Sequence, residues 1–449
     1  MVSAMLHRLD CVDAQAPDWD SDDALGRVSD RRFTTNRRWA ALIYEVVLSA
    51  APQVPAWDSG PLRLPLPQAR GVTDMAWRCT SMHERARDAV YGDERRWHRV
   101  LEQCQCLPGS KLRPTAVEIL RLVHPAKRGT NGLMVVHLVA ESDGLALVAD
   151  FQRCARRVAE NVELSGGLQA LAPVGAVLSP GVRSATVLSF ATHAPEPRLE
   201  LQSTWDGVNG RWSELDQWRW ALAAASPPSK RQLQSQSPPP NPGVLVRTPR
   251  REAQVLANGV AILATRPDTR AAAGADYDFD FVGIASIFLD VLLLGVAQRI
   301  RLAQLADTAS LLEDPVGHPR RMRALQRDVR VFRNQVWWRE ASTWRWPDQT
   351  LRAYQNEHMM TERLEQLVDE IGDFGAEVQA VADQRFGEFL GIIALIGLPA
   401  AAASIMQAVH ADAQTATRWI VVVTAVVALP LLLLAARVIM SFLPPRRNE

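Results

Sequence analysis

Two long uncharged apolar runs near the C-terminus constrain this chain more than any other feature. Residues 389–409 form a stretch of 21 residues without a charged side chain, and residues 419–436 form another of 18, after which the apolar pattern resumes beyond Arg437. About 20 helical residues rising 1.5 Å each match a hydrocarbon core about 30 Å thick. The sequence therefore predicts two transmembrane helices, 389–409 and 419–440, inserted in a lipid bilayer.

Composition shows that these runs are an exception within the chain. The mean hydropathy of −0.08 excludes a membrane protein with many spans. The 449 residues are long enough for two or three domains, and the net charge of +1 gives no reason to expect a nucleic-acid partner. We expect a large polar body attached to a two-helix membrane hairpin.

Arginines set the predicted orientation of the hairpin. Arg437, Arg446 and Arg447 lie at or beyond the end of the second run, and Arg385 lies just before the first, whereas the connecting loop holds one arginine and one aspartate. The positive-inside rule then places both termini and the polar body on the cytoplasmic side of the inner (plasma) membrane.

A third apolar run, 281–297, differs because Asp290 lies at its centre. An aspartate at the middle of a span costs about 2.5–3.5 kcal/mol on insertion. We therefore interpret this run as a buried helix of the cytoplasmic body.

The fold class predicted for the chain is α+β, with an N-terminal cytoplasmic α/β domain over residues 1–225. The Pro/Ser/Gln-rich segment 226–242 is predicted to be a linker or a long loop. Residues 243–276 are predicted to be a strand-containing continuation of the same domain. We predict helices over 39–48, 151–163 and 212–225, and strands over 116–124, 133–139, 186–190, 198–202 and 253–265.

Residues 277–388 are predicted to form a helical bundle and stalk. Near its end, apolar side chains repeat at alternating steps of three and four, which is a heptad pattern leading into the first span. Two interpretations stay open: packing within one chain, or a stalk around an oligomer axis. The repeat comprises Leu364, Leu367, Ile371, Phe374, Val378 and Val381.

Charge is segregated in this region. Residues 318–345 hold eight arginines against two acids, a net +6, and residues 357–388 hold nine acids against two arginines, a net −7. We expect two adjacent antiparallel helices of opposite charge, with docking of the basic helix on anionic lipid as the alternative.

The first predicted span carries small residues at helical spacing, which allow close helix packing. This helix-packing seam consists of Gly387, Gly391, Ala394, Gly397, Ala401 and Ala408. If the hairpin forms a pore, the polar candidates to line it are Ser404, Gln407 and His410.

Motifs of enzymatic chemistry are missing from the sequence. It contains no GxxxxGK[ST], HExxH, GxSxG or GxGxxG pattern, and its five cysteines do not have zinc-site spacing. We predict no catalytic residues, no metal site and no cofactor, with the cysteines as reduced thiols.

Residues 277–449 resemble the CorA-like two-span membrane proteins in having a long stalk helix, two C-terminal spans and a short outer loop. The resemblance is closest over residues 390–399, LGIIALIGLP. In that family such a stretch precedes a Gly-Met-Asn signature that binds hydrated magnesium at the pore mouth. The corresponding residues here are Ala408, Val409 and His410, and none matches, which argues against magnesium transport.

A second resemblance covers most of the chain. Residues 277–305, with Gln298-Arg299, and the segment FRNQVWW at 332–338 look like CorA-like proteins of bacterial conflict systems, such as the CATRA (caspase and TPR-repeat associated) group. That resemblance implies the membrane component of a nucleotide- or protease-regulated antiviral defence module, with a cytosolic protein or a small signal ligand as partner.

Together these features predict a non-enzymatic, homo-oligomeric membrane protein. Its cytoplasmic domain would receive a signal and control a two-span pore or membrane-disrupting module. The first alternative is a non-conducting adaptor or scaffold, and the second is a CorA-like divalent-cation transporter with a degenerate signature.

Overall fold

The computed structural model describes residues 38–53, 57–64, 74–92, 95–101, 104–122, 131–140, 144–156, 162–179, 184–191, 214–226, 245–247, 251–264, 280–312 and 318–409. Two compact units divide the chain. Unit 1 comprises Met1–Ala309 and Leu325–Leu367, and unit 2 comprises Ser310–Ala324 and Val368–Glu449.

A mixed sheet of ten strands forms the framework of unit 1 in its described residues. The strand order is β2-β3-β4-β5-β1-β7-β10-β9-β8, and β6 pairs with the C-terminal part of β1. Neighbouring strands are antiparallel except β7 and β10, which are parallel. The strands are β1 Arg38–Gln53, β2 Asp58–Ser59, β3 Arg96–Val100, β4 Leu112–Arg121, β5 Asn131–Ala140, β6 Val174–Leu178, β7 Thr186–Ala191, β8 Leu245–Arg247, β9 Arg251–Leu256 and β10 Gly259–Ala264.

Nine α-helices lie in the described part of the chain, and three of them adjoin a π-helical turn. The helices are α1 Met75–Ser81, α2 Glu84–Tyr91, α3 Gly144–Phe151, α4 Val162–Leu171, α5 Glu214–Ala224, α6 Leu289–Ser310, α7 Pro319–Val331, α8 Arg345–Glu357 and α9 Met360–Val409. The π-helical turns are Gln152–Arg156 after α3, Ile284–Phe288 before α6 and Phe332–Val336 after α7. One helix, here named the central helix, thus runs from Asp280 to Ser310.

One face of the sheet packs against α3, α4 and α5. Leu42 and Tyr44 of β1 point into this core, where they meet Phe151 and Leu168. The Tyr44 hydroxyl donates a 2.7 Å hydrogen bond to the Cys154 carbonyl, which satisfies a polar group that is fully buried.

The opposite face of the sheet is covered by the central helix. The Trp39 ring of β1 contacts Phe281 edge-on with a centroid separation of 5.7 Å. On its outer side the helix meets α8 so closely that a Cβ on Gly295 would lie 3.0 Å from the Tyr354 ring. Protein therefore covers both sides of this helix, which explains why it is apolar around its circumference.

Among the described residues, the central helix is the one helix that is long and apolar enough to cross a membrane. Its most apolar window is 89% buried inside the protein. This burial agrees with the interpretation of residues 281–297 as a core helix.

The predicted helix over 39–48 is wrong, because these residues form the central strand β1. Both faces of β1 are buried, so its apolar side chains run almost continuously instead of alternating with polar ones. A short continuous apolar run does not distinguish a strand from a buried helix by periodicity.

Other local predictions are confirmed in position. Strands β4, β5 and β7 overlap the segments 116–124, 133–139 and 186–190, and α5 overlaps 212–225. The predicted single strand over 253–265 is two strands, because residues 257–258 form a turn between β9 and β10.

The predicted helix over 151–163 is described only at its two ends. Helix α3 begins earlier, at Gly144, its π-helical turn ends at Arg156, and α4 begins at Val162. The intervening residues 157–161 lie outside the described residues, as does the predicted strand over 198–202.

The α+β class is confirmed. Strands β8 to β10, which follow the 226–242 segment in sequence, belong to the same sheet as β1 to β7. The predicted boundary at residue 277 does not separate the two units, because the central helix packs on that sheet as part of unit 1. The loop and second run of the hairpin, residues 410–440, lie outside the described residues.

Candidate functional site

A buried charge network joins the central helix to the sheet. Asp290 Oδ2 accepts a hydrogen bond of 2.7 Å from Arg78 Nη1 of α1, and Oδ1 accepts one of 2.5 Å from Arg96 Nη1 of β3. The Tyr91 hydroxyl of α2 also donates to Asp290. The Arg78, Arg96 and Asp290 side chains have no exposed surface, so the helix is fixed through charges withdrawn from water.

The network continues across strands β3, β4 and β5. Arg96 Nε donates to Glu118 Oε2 at 2.6 Å, and Glu118 Oε1 lies 2.6 Å from His137 Nε2. Burial alone would raise the pKa of Glu118, but the charge of Arg96 and the hydrogen bond from His137 hold it well below its usual range. Glu118 is therefore ionised between two basic side chains.

Arg78 of α1 makes two further contacts in this charge network. Its Nε donates to Asp74 at 2.7 Å and its Nη2 donates to the Leu62 carbonyl at 3.0 Å. Because Asp74 and Arg78 have no exposed surface, a ligand from solvent would not reach them. The network holds elements of unit 1 together.

Sequence reasoning singled out Asp290 but none of its partners. Arg78 is 212 positions away and Arg96 is 194 positions away. The available signal was the aspartate itself, since a charge within an apolar run requires an opposite charge elsewhere.

The second functional feature is the junction between α8 and α9. Met359 adopts a left-handed φ of +47°, which an L-residue rarely occupies. Beside it, the His358 ring packs on Tyr354 with a centroid separation of 4.5 Å. Burial and the nearby charge of Arg299 lower the pKa of His358 to about 4, so its imidazole is neutral at pH 7.

Helix α9 begins as a packed element. Met360, Leu364, Leu367 and Ile371 are each at most 7% exposed. Further along the same heptad repeat, Phe374, Val378 and Val381 are only partly buried. The repeat therefore divides into a first half that is buried and a second half that is incompletely covered.

Large apolar side chains of α9 are exposed where the first apolar run begins. Phe386, Phe389, Leu390 and Ile393 are 61%, 53%, 49% and 48% exposed. Their spacing of three, four and seven residues places them on one face of the helix. A cluster of exposed large apolar side chains indicates contact with lipid or another apolar surface.

The predicted helix-packing seam lies within α9. A Cβ built on Gly387, Gly391 or Gly397 would meet no atom within 4 Å, so space for a neighbouring helix is open at these positions. Of the predicted pore-lining residues, Ser404 and Gln407 are part of α9, and His410 lies outside the described residues.

The expected ion pairing between the basic and acidic helices is not formed in the described residues. The ion pair that α7 makes there uses its own carboxylate, Asp328, which lies 3.8 Å from Arg301. The arginines of α7 and the acids of α9 are exposed.

An open cavity of about 550 Å³ lies beside the π-helical turn after α3. Lys111 and Arg153 line it, and Asp150 accepts hydrogen bonds from the Lys111 backbone N–H at 3.2 Å and from Arg153 at 3.3 Å. This volume is in the range of small-molecule sites, and π-helical turns occur often at functional sites.

Metal and thiol chemistry have little basis in the described residues. No group of three histidine, cysteine or acidic side chains is placed there to hold a metal ion. Cys79, Cys104, Cys106 and Cys154 are free thiols, and burial raises the pKa of Cys154 to about 11, which disfavours its reactive thiolate.

Comparisons with protein-family models, curated proteins and solved structures find no match to this chain.

Proposed function

We propose that this protein is a membrane-anchored, non-enzymatic signal receiver of the inner membrane, whose cytoplasmic α+β unit controls a two-helix pore or membrane-disrupting module. We further propose that it acts as an effector in a bacterial conflict or defence system, as its resemblance to CorA-like proteins of such systems suggests. The hairpin comprises 389–409 and 419–440, with both termini cytoplasmic.

The observation that carries the proposal is the continuity of α9. This single helix runs from Met360 to Val409, so that buried residues of unit 1 and the first apolar run belong to the same 50-residue element. At 1.5 Å per residue it is about 75 Å long. A change at its packed start would reach the membrane through unbroken backbone hydrogen bonds.

The exposed apolar face of α9 supports the membrane part of the proposal. The side chains of Phe386, Phe389, Leu390 and Ile393 are about half exposed around the start of a run of 21 uncharged residues. Insertion into a bilayer would remove this apolar area from water, a change that is favourable by roughly 25 cal/mol per Å².

The receiving part of the proposal rests on unit 1. Its open cavity beside Arg153 is large enough for a small ligand, and Lys111, Asp150 and Arg153 supply charged groups in its lining. A cytosolic protein partner is the other source of signal.

Ion flux from the reconstituted full-length protein tests the pore. We expect liposomes containing the protein to release a trapped dye, and Gly391→Leu to reduce release at least tenfold because the side chain would fill the seam. The matched control, Gly166→Leu, changes an exposed helical glycine of unit 1 that also has open space around it. Absence of release from protein whose insertion is verified by protease protection would overturn the proposal.

A hairpin exchange separates the effector from the adaptor alternative. Residues 389–440 are replaced by an unrelated two-span hairpin, and membrane depolarisation is measured in cells expressing each protein. Loss of depolarisation supports the pore or disrupting module. Retention of the cellular effect would identify a scaffold that uses the hairpin only as an anchor.

A further inference from the structure

An exposed stripe of positive charge runs along α7. Its residues recur at steps of three, four and three, which places them on one side of the helix. The opposite side of α7 is buried through Met322, Leu325 and Val329, which are 1%, 3% and 5% exposed. We name this surface the arginine stripe; it comprises Arg320, Arg323, Arg327 and Arg330, all exposed.

A stripe of the opposite charge runs along the first part of α9. Its residues recur at steps of three, four and four, opposite the buried Leu364, Leu367 and Ile371. We name this surface the acidic stripe; it comprises Glu362, Glu365, Asp369 and Asp373, all exposed.

The two stripes match in number and in length. Each has four charges, and at 1.5 Å per residue the arginine stripe extends about 15 Å and the acidic stripe about 16.5 Å. Among the described residues no ion pair joins any of these eight side chains to another residue, the ion pair of α7 being that of Asp328. In the part of the chain that the structure describes, no ion pair neutralises either surface.

We propose that the arginine stripe of one copy of this chain binds the acidic stripe of a second copy. This contact uses two different surfaces, so it is heterologous and repeats around a ring or along a row of copies. The inference deepens the proposed function, because it names the contact that would assemble the oligomer, but it needs no pore activity to hold.

Charge complementarity favours a second copy over a foreign partner. The chain as a whole has a net charge of +1, so the positive and negative surfaces are present in nearly equal amounts on every copy. A partner whose charges all have the same sign, such as an anionic lipid surface, would be attracted by the arginines of α7 and repelled by the acids of α9. A second copy satisfies both stripes at once.

The test mixes two charge-reversed forms of the full-length protein in detergent micelles. In form A the four arginines of the arginine stripe are changed to Glu, and in form B the four acids of the acidic stripe are changed to Arg. Each form then carries two stripes of like charge. We expect each form alone to associate at least tenfold more weakly than the unaltered protein, as measured by mass photometry.

Mixing distinguishes contact between copies from contact within a copy. Form A has negative stripes and form B has positive stripes, so differently tagged A and B should co-purify and restore the oligomer. Pairing within one chain predicts no recovery on mixing, and this result would overturn the proposal. So would unchanged association of both forms alone.

Controls separate specific pairing from a general effect of charge. Arg85→Glu with Arg339→Glu alters exposed arginines outside both stripes and should leave association unchanged. The unaltered oligomer should weaken as salt rises, because exposed charges are screened within about 8 Å at 0.15 M ionic strength. If form A loses only its binding to vesicles containing phosphatidylglycerol, while its association in micelles persists, the arginine stripe is a lipid surface and the proposal fails.

Discussion

At the scale of single residues, Asp290 provides a prediction about stability. Its carboxylate is fully buried and is matched by Arg78 and Arg96. Replacing a whole buried ion network with apolar residues is often neutral, because removing charges from water offsets their attraction. Removing one partner leaves an uncompensated charge and is costly.

Asp290→Asn is therefore expected to lower the free energy of unfolding by about 3–5 kcal/mol. Urea unfolding of the purified protein, followed by tryptophan fluorescence, measures the change. The matched control is Glu340→Gln, which breaks the exposed pair with Arg352, whose side chains are 62% and 49% exposed. A surface pair contributes about 0–1 kcal/mol, so equal effects of the two variants would contradict this assignment.

His358 provides a prediction about pH. Its pKa of about 4 in the folded protein lies below the ordinary value of about 6.5, so the unfolded chain binds more protons between these limits. The contribution of the neutral imidazole to the free energy of unfolding is therefore fully present above pH 6.5. This contribution is lost as the pH falls toward 4. Because the side chain is only partly buried, we expect a loss of about 1 kcal/mol between pH 7 and pH 5.

The comparison that isolates this effect is His358→Gln. Thermal unfolding at pH 7 and pH 5 should show a smaller downward shift of Tm in the variant than in the unaltered protein. Identical shifts would show that groups other than His358 cause the acid sensitivity. Glu118, whose pKa is depressed, should contribute to acid unfolding only at lower pH.

At the scale of elements, two apolar helices have opposite relations to their surroundings. The central helix is covered on both sides, and its single central charge is neutralised by neighbouring elements. The first apolar run of α9 has no charged residue, and at its start Phe389, Leu390 and Ile393 are exposed. Hydrophobicity alone does not separate these cases, whereas the presence of Asp290 does.

Glycines test how closely these elements pack. Gly372 lies in an exposed part of α9 where an added Cβ meets nothing within 4 Å. Gly259 begins β10, where an added Cβ would lie 2.3 Å from the Val187 carbonyl oxygen. We expect Gly372→Ala to stabilise the protein by about 1 kcal/mol through helix propensity. We expect Gly259→Ala to destabilise it by about 1–3 kcal/mol, because backbone must shift.

Tm measurements on both glycine variants check this pair of predictions. Opposite signs are the expected result. A stabilising Gly259→Ala would mean that β7 and β10 do not approach as closely as the parallel pairing requires.

At the scale of the whole molecule, the net charge of +1 is the sum of strongly unequal parts. A segment of +6 and a segment of −7 lie in neighbouring regions of the sequence, and in the described residues their exposed faces do not neutralise each other. The proposed assembly follows from this arrangement, because a second copy supplies the opposite charge to each face.

Local properties were accessible from the sequence alone. The α+β class, strands β4, β5 and β7, and the helical repeat of α9 follow from periodicity over a few turns or a few strand residues. The burial of 281–297 was predictable from one aspartate. The two membrane spans are likewise predicted from length and composition alone, since the second span lies outside the described residues.

Non-local pairing required the tertiary structure. The sequence does not distinguish the strand at 39–48 from a helix, because its identity depends on neighbours β5 and β7, far along the chain. The partners of Asp290 and the change in burial along α9 depend in the same way on distant segments. Local conformational preferences act over a few residues, whereas packing and charge neutralisation act between any residues that the folded chain brings together.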